Sequence, residues 1–341
     1  MRRARTRNVR RRAPARRGLA DAHARWAGAA LGVDLGATKI ALGVVDRSGT
    51  ILETTRVPTR AERPADRIIE DIVTCVEERW ADRLPRSRPL GVGVAGQVNP
   101  VGTVLFGPNL HWHDVPLRAR LSRALRRPVT VLNDVQAAAY GEWKHGAGRG
   151  CDELVCLFIG TGVGGGIVAG GRLHTGVTGT AGELGHLTVE RQGRQCRCPN
   201  SGCLEAYAGG WAIAERAREA IRASPALGAK LLARSGDLAS LTSRTVEEAY
   251  RARDPMARGL VEETMSYLVC GLVSIVNGLN PERIVLGGGV LEGFRSQVPF
   301  LEREVRARAL PAAAAGVRIV PASLGSESGL VGSATYAAAG R

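Results

Sequence analysis

No run of apolar residues in this 341-residue chain approaches the ~20 needed to span a bilayer, so the sequence does not read as a membrane protein. A signal-peptide core is missing as well, since Gly18 to Gly28 reads GLADAHARWAG, and secretion is not expected. The Arg-rich start also lacks the serines and the amphipathic repeat of a transit peptide. Acids are absent from residues 2 to 17, RRARTRNVRRRAPARR, which hold nine arginines. The formal charge of +15 is therefore concentrated, and 15 − 9 leaves +6 on the body, an ordinary value for a soluble domain. Residues 1 to 28 are read as a solvated, disordered extension without a catalytic role, and nucleic acid is not an expected partner. None of the glycine turns matches G-x-x-x-x-G-K-[ST] or a clean dinucleotide fingerprint, which weakens a dehydrogenase reading.

Cysteine is sparse, seven in all, yet three of the seven crowd one loop, GELGHLTVERQGRQCRCPNSGCLEAY. His186, Cys196, Cys198 and Cys203 fall within eighteen residues and supply four ligands of the types a tetrahedral zinc prefers. Free surface thiols are the plain alternative. Glu183 and Glu205 flank the cluster, so a metal there would hold two carboxylates and an imidazole in set positions, suited to gripping several hydroxyl groups. Cys75, Cys151, Cys156 and Cys270 sit in apolar contexts and read as buried thiols. With no targeting signal, a reducing cytoplasm is the expected location.

The pattern along the chain is α/β with mixed sheets. ALGVDLGATKIALGVVD reads as two strands around a turn, Ile51 to Val57 as a third, and Ile68, Ile69, Ile72, Val73, Val76 and Trp80 recur at helical spacing. LGVGVAG is a strand followed by a loop rich in Asn, His and Trp, RARLSRALRR a helix, and PVTVLND a strand leading into another helix. ELVCLFIGTGVGGGIVAGGRLH restarts the same grammar, which suggests two related α/β units with ligands in the cleft between them. Helices are expected at Trp211 to Ile221, Thr245 to Ala252, Met256 to Leu279 and Ser328 to Ala339, and strands at RIVLGGGV and VRIVPA.

Three glycine turns follow apolar strands: Asp34-Leu-Gly36-Ala-Thr38-Lys39, Gly160-Thr161-Gly162 and Gly287-Gly288-Gly289. Each alone can be a tight turn. Together, with a hydroxyl and an acid, they favour a nucleoside triphosphate, because phosphate needs backbone N–H donors that no Cβ blocks. Asn133-Asp134 ends a strand and starts a helix, where an acid can cap the helix or accept a proton from a substrate hydroxyl. Asn109, between turn residues, suits contact with neighbouring sugar hydroxyls. His111 and His113 flank Trp112 and read as surface packing rather than metal ligands.

In this order, GVDLGATKI, NDVQAA, FIGTGVGGGIV, GELGH, CRCPNSGCLE and IVLGGGV resemble the motif series of the ROK family of bacterial sugar kinases and sugar-responsive repressors, over about residues 30 to 341. The resemblance implies a two-lobed actin-like or hexokinase-like (ribonuclease H-like) fold, with residues 29–134 as one lobe and 135–341 as the other, the final helix packing back on the first. It implies a first phosphate loop from Asp34, Gly36, Thr38 and Lys39, a second from Gly160, Thr161 and Gly162, and Gly287, Gly288 and Gly289 near the adenosine. Asp134 would be the base; Asn109, Asn133, Asp134, Glu183, His186 and Glu205 would grip the sugar; and His186 would share a structural Zn²⁺ with Cys196, Cys198 and Cys203. ATP and Mg²⁺ would complete the reaction, and family members are often dimers or tetramers. VLFGPNLHWHDVPL looks most like the branch that phosphorylates glucose, with N-acetylmannosamine, N-acetylglucosamine or fructose kinases and a non-catalytic sugar sensor as the other readings. Two departures stand out. The usual C-G-C-G run is Cys196-Arg197-Cys198-Pro199, and the usual proline after the AG turn is Gln97. Family repressors carry a helix-turn-helix of ~60 to 80 residues ahead of the first strand, more than precedes it here, which favours the enzyme branch.

Overall fold

The computed structural model describes residues 26–340, so the arginine-rich segment, 2 to 17, lies outside the described residues. β1 (Ala30–Leu35), β2 (Lys39–Val45) and β3 (Ile51–Pro58) pair antiparallel, and β4 (Leu90–Val94) and β8 (Val129–Asn133) add in parallel on the other side of β1. The second sheet repeats the order. β9 (Leu154–Ile159), β10 (Val163–Ala169) and β11 (Arg172–His174) pair antiparallel, and β12 (Arg283–Gly287) and β13 (Arg318–Pro321) follow β9 in parallel. The halves announced by the two strand–glycine–strand stretches therefore share one topology. Their central strands are buried along their length, as expected of parallel strands covered on both faces.

Helical spacing decides what covers the first sheet. α1 (Ala65–Trp80) turns Ile68, Ile69, Ile72, Val76 and Trp80 inward, and α2 (Leu117–Leu125) adds Leu117, Leu121 and Leu125 to the same core. Each of these side chains contributes about 1.5–3 kcal/mol by leaving water. α3 (Asp134–His145) packs against β10 as well as β4, and so joins the two sheets. The second core is built from α4 (Glu205–Ala208), α5 (Gly210–Ala223), α6 (Pro225–Ser235), α7 (Ser243–Arg251), α8 (Pro255–Leu279), α9 (Gly289–Gly293), α10 (Val298–Arg308) and α11 (Pro311–Gly316). The last helix, α12 (Ser328–Ala338), returns to cover β1 and β4 and crosses α3.

That crossing is tight. A Cβ on Gly332 would stand 1.7 Å from the Ala137 carbonyl oxygen, and one on Gly141 would stand 2.6 Å from that of Ser328, so the helices meet backbone to backbone. Glu142, fully buried, ties α3 to the segment ahead of α12 by accepting from the Ala147, Ser323 and Leu324 N–H groups at 2.8, 3.0 and 2.7 Å. A buried carboxylate with this many partners is a stable arrangement.

Two readings change. The stretch after β4 is not a loop but a small antiparallel sheet, β5 (Gln97–Val98), β6 (Val104–Gly107) and β7 (Trp112–Val115), whose strands are too short for alternation to register. Cys270 is exposed, because the flank of α8 that carries it faces away from the core, whereas Cys75, Cys151 and Cys156 are buried. α8 itself is long and apolar enough to cross a membrane by length and composition, yet twelve of its 25 residues are buried, ten of them in the second core, which accounts for its apolar character.

Candidate active site and metal centre

The C-terminal ends of β1, β4 and β8 form one wall of a cleft. Asp34 is carried there by β1 and Asp134 by the first turn of α3. Both uses of Asn133-Asp134 are realised by different residues. Asn133 is the cap: its Oδ1 accepts from Val135 and Gln136 N–H at 2.9 and 3.1 Å, and its Nδ2 donates to the Gly96 carbonyl at 3.0 Å. Asp134 Oδ1 accepts from Val135 N–H at 3.0 Å. Burial pushes the Asp134 carboxyl above the ordinary aspartate range, an effect the Val135 N–H partly offsets.

Asp34 is pushed up to about 7, first by burial and then by the negative charge of Asp134, with Lys39 opposing. The sign follows from linkage. A carboxyl raised in the fold stabilises it below the unfolded value of 3.8, and that contribution is lost as pH rises through about 7. Asp34→Asn should therefore melt above the wild type at pH 8, with the difference vanishing toward pH 4. Thermal melts at the two pH values that show an equal difference would contradict the burial of this charge.

The opposite wall comes from the second half. Burial also raises Glu183, with His186 lowering it and the charges of Asp134 and Glu205 raising it further, so these acids form one electrostatic cluster. The segment leading to Glu183 is pinned by Gln136, a buried amide on α3 whose Nε2 donates to the Gly179 and Ala181 carbonyls at 3.0 and 2.9 Å. Gln136 was missed from sequence. Its signal was a lone amide in an alanine-rich stretch of helix. Asn109 lies exposed in a 3-10 turn, Pro108–Leu110, with no polar partner among the described residues. His111 and His113 are exposed, His113 against the Phe106 ring at 5.1 Å between centroids.

The first glycine turn is closed by Gly36 N–H on the Lys39 carbonyl at 3.1 Å and by Thr59 Oγ1 on the Gly36 carbonyl at 2.6 Å. The second is stapled to α5, where Gly210 and Trp211 N–H donate to the Gly160 and Thr161 carbonyls at 2.9 and 3.1 Å. Glu205 lies beneath it, Oε2 accepting from Val163 N–H at 2.8 Å and Oε1 from Trp211 Nε1 at 3.3 Å. The third abuts the second: Gly288 has φ +90, and a Cβ there would lie 2.4 Å from the Ile159 carbonyl oxygen. Two of the three turns thus lie at the C-terminal ends of the neighbouring strands β9 and β12, and the first follows β1 in the other sheet.

His186, Cys196, Cys198 and Cys203 place their donor atoms within 4.8 Å of one another. Cys198 and Cys203 Sγ are 3.6 Å apart, and Cys196 Sγ is 3.7 Å from His186 Nδ1. Tetrahedral bonds of ~2.3 Å to sulfur and ~2.0 Å to nitrogen require spacings of this size. His186 thereby turns Nδ1 to the thiols and Nε2 to Glu183, whose Oε2 is 4.0 Å away. Burial, followed by the neighbouring thiols, pushes Cys203 up to about 12, a state that a bound dication would reverse. Asn200 Nδ2 donates to Cys203 Sγ at 3.6 Å and to Thr188 Oγ1 at 2.9 Å, which braces the loop behind the ligands.

Comparison with known proteins bears on family and fold. The family model described as "ROK family" matches residues 30–339. The chain belongs to the ROK family. Among ROK relatives, the glucokinase of Streptomyces coelicolor is 35% identical over 319 residues, covering 91% of this chain and 98% of that protein. The solved ROK glucokinase of Streptomyces griseus, in complex with glucose and AMPPNP, superposes with a TM-score of 0.76 at 35% identity and covers 91% of this chain and 99% of that one. The xylose repressor of Bacillus spizizenii is 27% identical over 310 residues, 90% of this chain but 76% of the repressor. The two-lobed actin-like, hexokinase-like fold expected of a ROK protein is the fold found.

Proposed function

We propose that this chain is an ATP-dependent glucokinase that transfers the γ-phosphoryl group to the 6-hydroxyl of glucose. The observation that carries the reading is Asp134, a buried carboxyl at the start of α3, aligned by Val135 N–H and grouped with Asp34 and Glu183. Its raised pKa makes it a better proton acceptor than a solvated aspartate, and it takes the proton as the hydroxyl oxygen attacks phosphorus. Glu183 and His186 on the opposite wall orient the sugar hydroxyls, and Gln136 holds the two walls in register, with Asn133 fixing the start of α3 that carries it. The turns at Gly36 to Lys39 and Gly160 to Gly162 receive the phosphates. Asp34, a buried carboxyl beside Asp134, would hold a Mg²⁺ bound with the nucleotide, which would supply neutralisation of the phosphate charge. Three sulfurs and one nitrogen suit a structural Zn²⁺ with no position open to substrate, shaping the sugar site through His186. A nucleotide-dependent reaction of this kind fits a cytoplasmic protein.

Similarity to the Streptomyces glucokinases supports glucose over other sugars. A coupled ADP-release assay with Mg-ATP tests this across glucose, mannose, fructose, glucosamine, N-acetylglucosamine and N-acetylmannosamine. Glucose is expected to dominate kcat/KM. Preference for another sugar moves the substrate and keeps the chemistry, whereas silence on all six from folded, metal-loaded protein removes the kinase reading and leaves a sugar sensor.

A further inference from the structure

A cleft of about 480 Å³ opens beside the second glycine turn, lined by Thr161, Gly210, Trp211, Thr242, Ser243 and Arg197. Its aromatic wall is held from two directions. The Trp211 indole N–H is fixed on Glu205, and the Arg197 guanidinium lies over the ring, Cζ 4.5 Å from the centroid. Among the described residues Arg197 makes no hydrogen bond and no ion pair, and its ring contact leaves all five N–H donors open.

The neighbouring arginines differ. Arg218, which also lines the cleft, donates to the Leu238, Ala239 and Leu241 carbonyls at 2.8, 3.3 and 2.7 Å. Arg194 is held by Glu219 through two bonds of 2.8 and 2.6 Å. Both are occupied in bracing the fold. Arg197 alone of the three presents a cation with unused donors to a cleft that Thr161 of the second glycine turn also lines.

We propose that Arg197 is a phosphate ligand for the nucleotide, its planar fork reaching the phosphate chain within the cleft it shares with Thr161. The inference rests on the kinase reading and deepens it. The guanidinium geometry matches phosphate oxygens through paired N–H donors, and stacking on Trp211 fixes the plane of the fork before the nucleotide arrives, which lowers the entropy lost on binding. The position between Cys196 and Cys198 places the root of the side chain on the metal loop.

Isothermal titration of adenosine, AMP, ADP and a non-hydrolysable ATP analogue into wild type, Arg197→Gly and Arg197→Lys, each with metal content verified, tests the assignment. The glycine variant should bind adenosine as the wild type does and lose affinity progressively with phosphate number, reaching about 10–100-fold for the triphosphate, the scale of a charged hydrogen-bonded contact. Arg197→Lys should recover part of the loss, because charge returns without the fork. In turnover the KM for ATP should rise while the KM for glucose stays unchanged. An equal loss on adenosine would place the effect on Trp211 and overturn the proposal, as would undiminished triphosphate affinity in the glycine variant. Wild-type protein that binds none of the four ligands would instead overturn the kinase reading itself, and this inference with it.

Discussion

Replacing Asp134 with asparagine should lower turnover by about 10²–10⁴-fold, the usual contribution of a positioned general base. The amide keeps the shape of the carboxylate and can still accept from Val135 N–H, so α3 starts where it did and the Asn133 cap is undisturbed. Glucose affinity, measured by calorimetry, should change little. This separation of kcat from binding distinguishes loss of the proton acceptor from collapse of the site. In the wild type the acceptor must be ionised, so kcat should rise with pH through the raised pKa of this carboxyl, and the variant should lose that limb of the profile. A variant with near wild-type kcat would take Asp134 out of the chemistry.

Cys198→Ser should release the metal and weaken glucose binding in the same step. The serine hydroxyl stays protonated at neutral pH and does not replace a thiolate, and three remaining donors around a site built for four bind far more weakly. Structural zinc supplies ~10–16 kcal/mol of apparent binding energy in small peptide sites, so even a fraction of that matters against a total stability of ~5–15 kcal/mol. The sugar effect follows from His186, which turns one ring nitrogen to the thiols and the other to Glu183; without the cation its ring loses its orientation. Metal analysis paired with calorimetry reads both effects. Retention of metal and of glucose affinity would defeat the assignment, and chelator titration of the wild type gives the same test without a substitution.

The parts of this site that were legible in the sequence are those whose signals are local. Four ligands within one loop, a glycine turn after an apolar strand, and Asn-Asp at a strand-to-helix junction each carry their meaning within a few residues. Gln136 and Trp211 do not. Gln136 matters because it reaches the Gly179 and Ala181 carbonyls, more than forty residues away in sequence, and no periodicity marks a single amide among alanines. Trp211 matters through Glu205 and Arg197, and at its own position it is simply the second residue of a helix. Asn133 shows the converse: its residue type and place were right for a site, while its amide is engaged by the backbone on both ends. The small sheet carrying Asn109 escaped because strands of two to four residues show no alternation.

The backbone contact between α3 and α12 has a bearing on which letters this chain can exchange. At Gly332 and Gly141 every other amino acid adds an atom where a carbonyl oxygen already stands, so substitutions there are screened out by volume, however mild their chemistry. Among variants that still fold, the least tolerant positions will therefore include two that never meet sugar or nucleotide, and a catalogue of intolerant sites would overstate the extent of the catalytic surface.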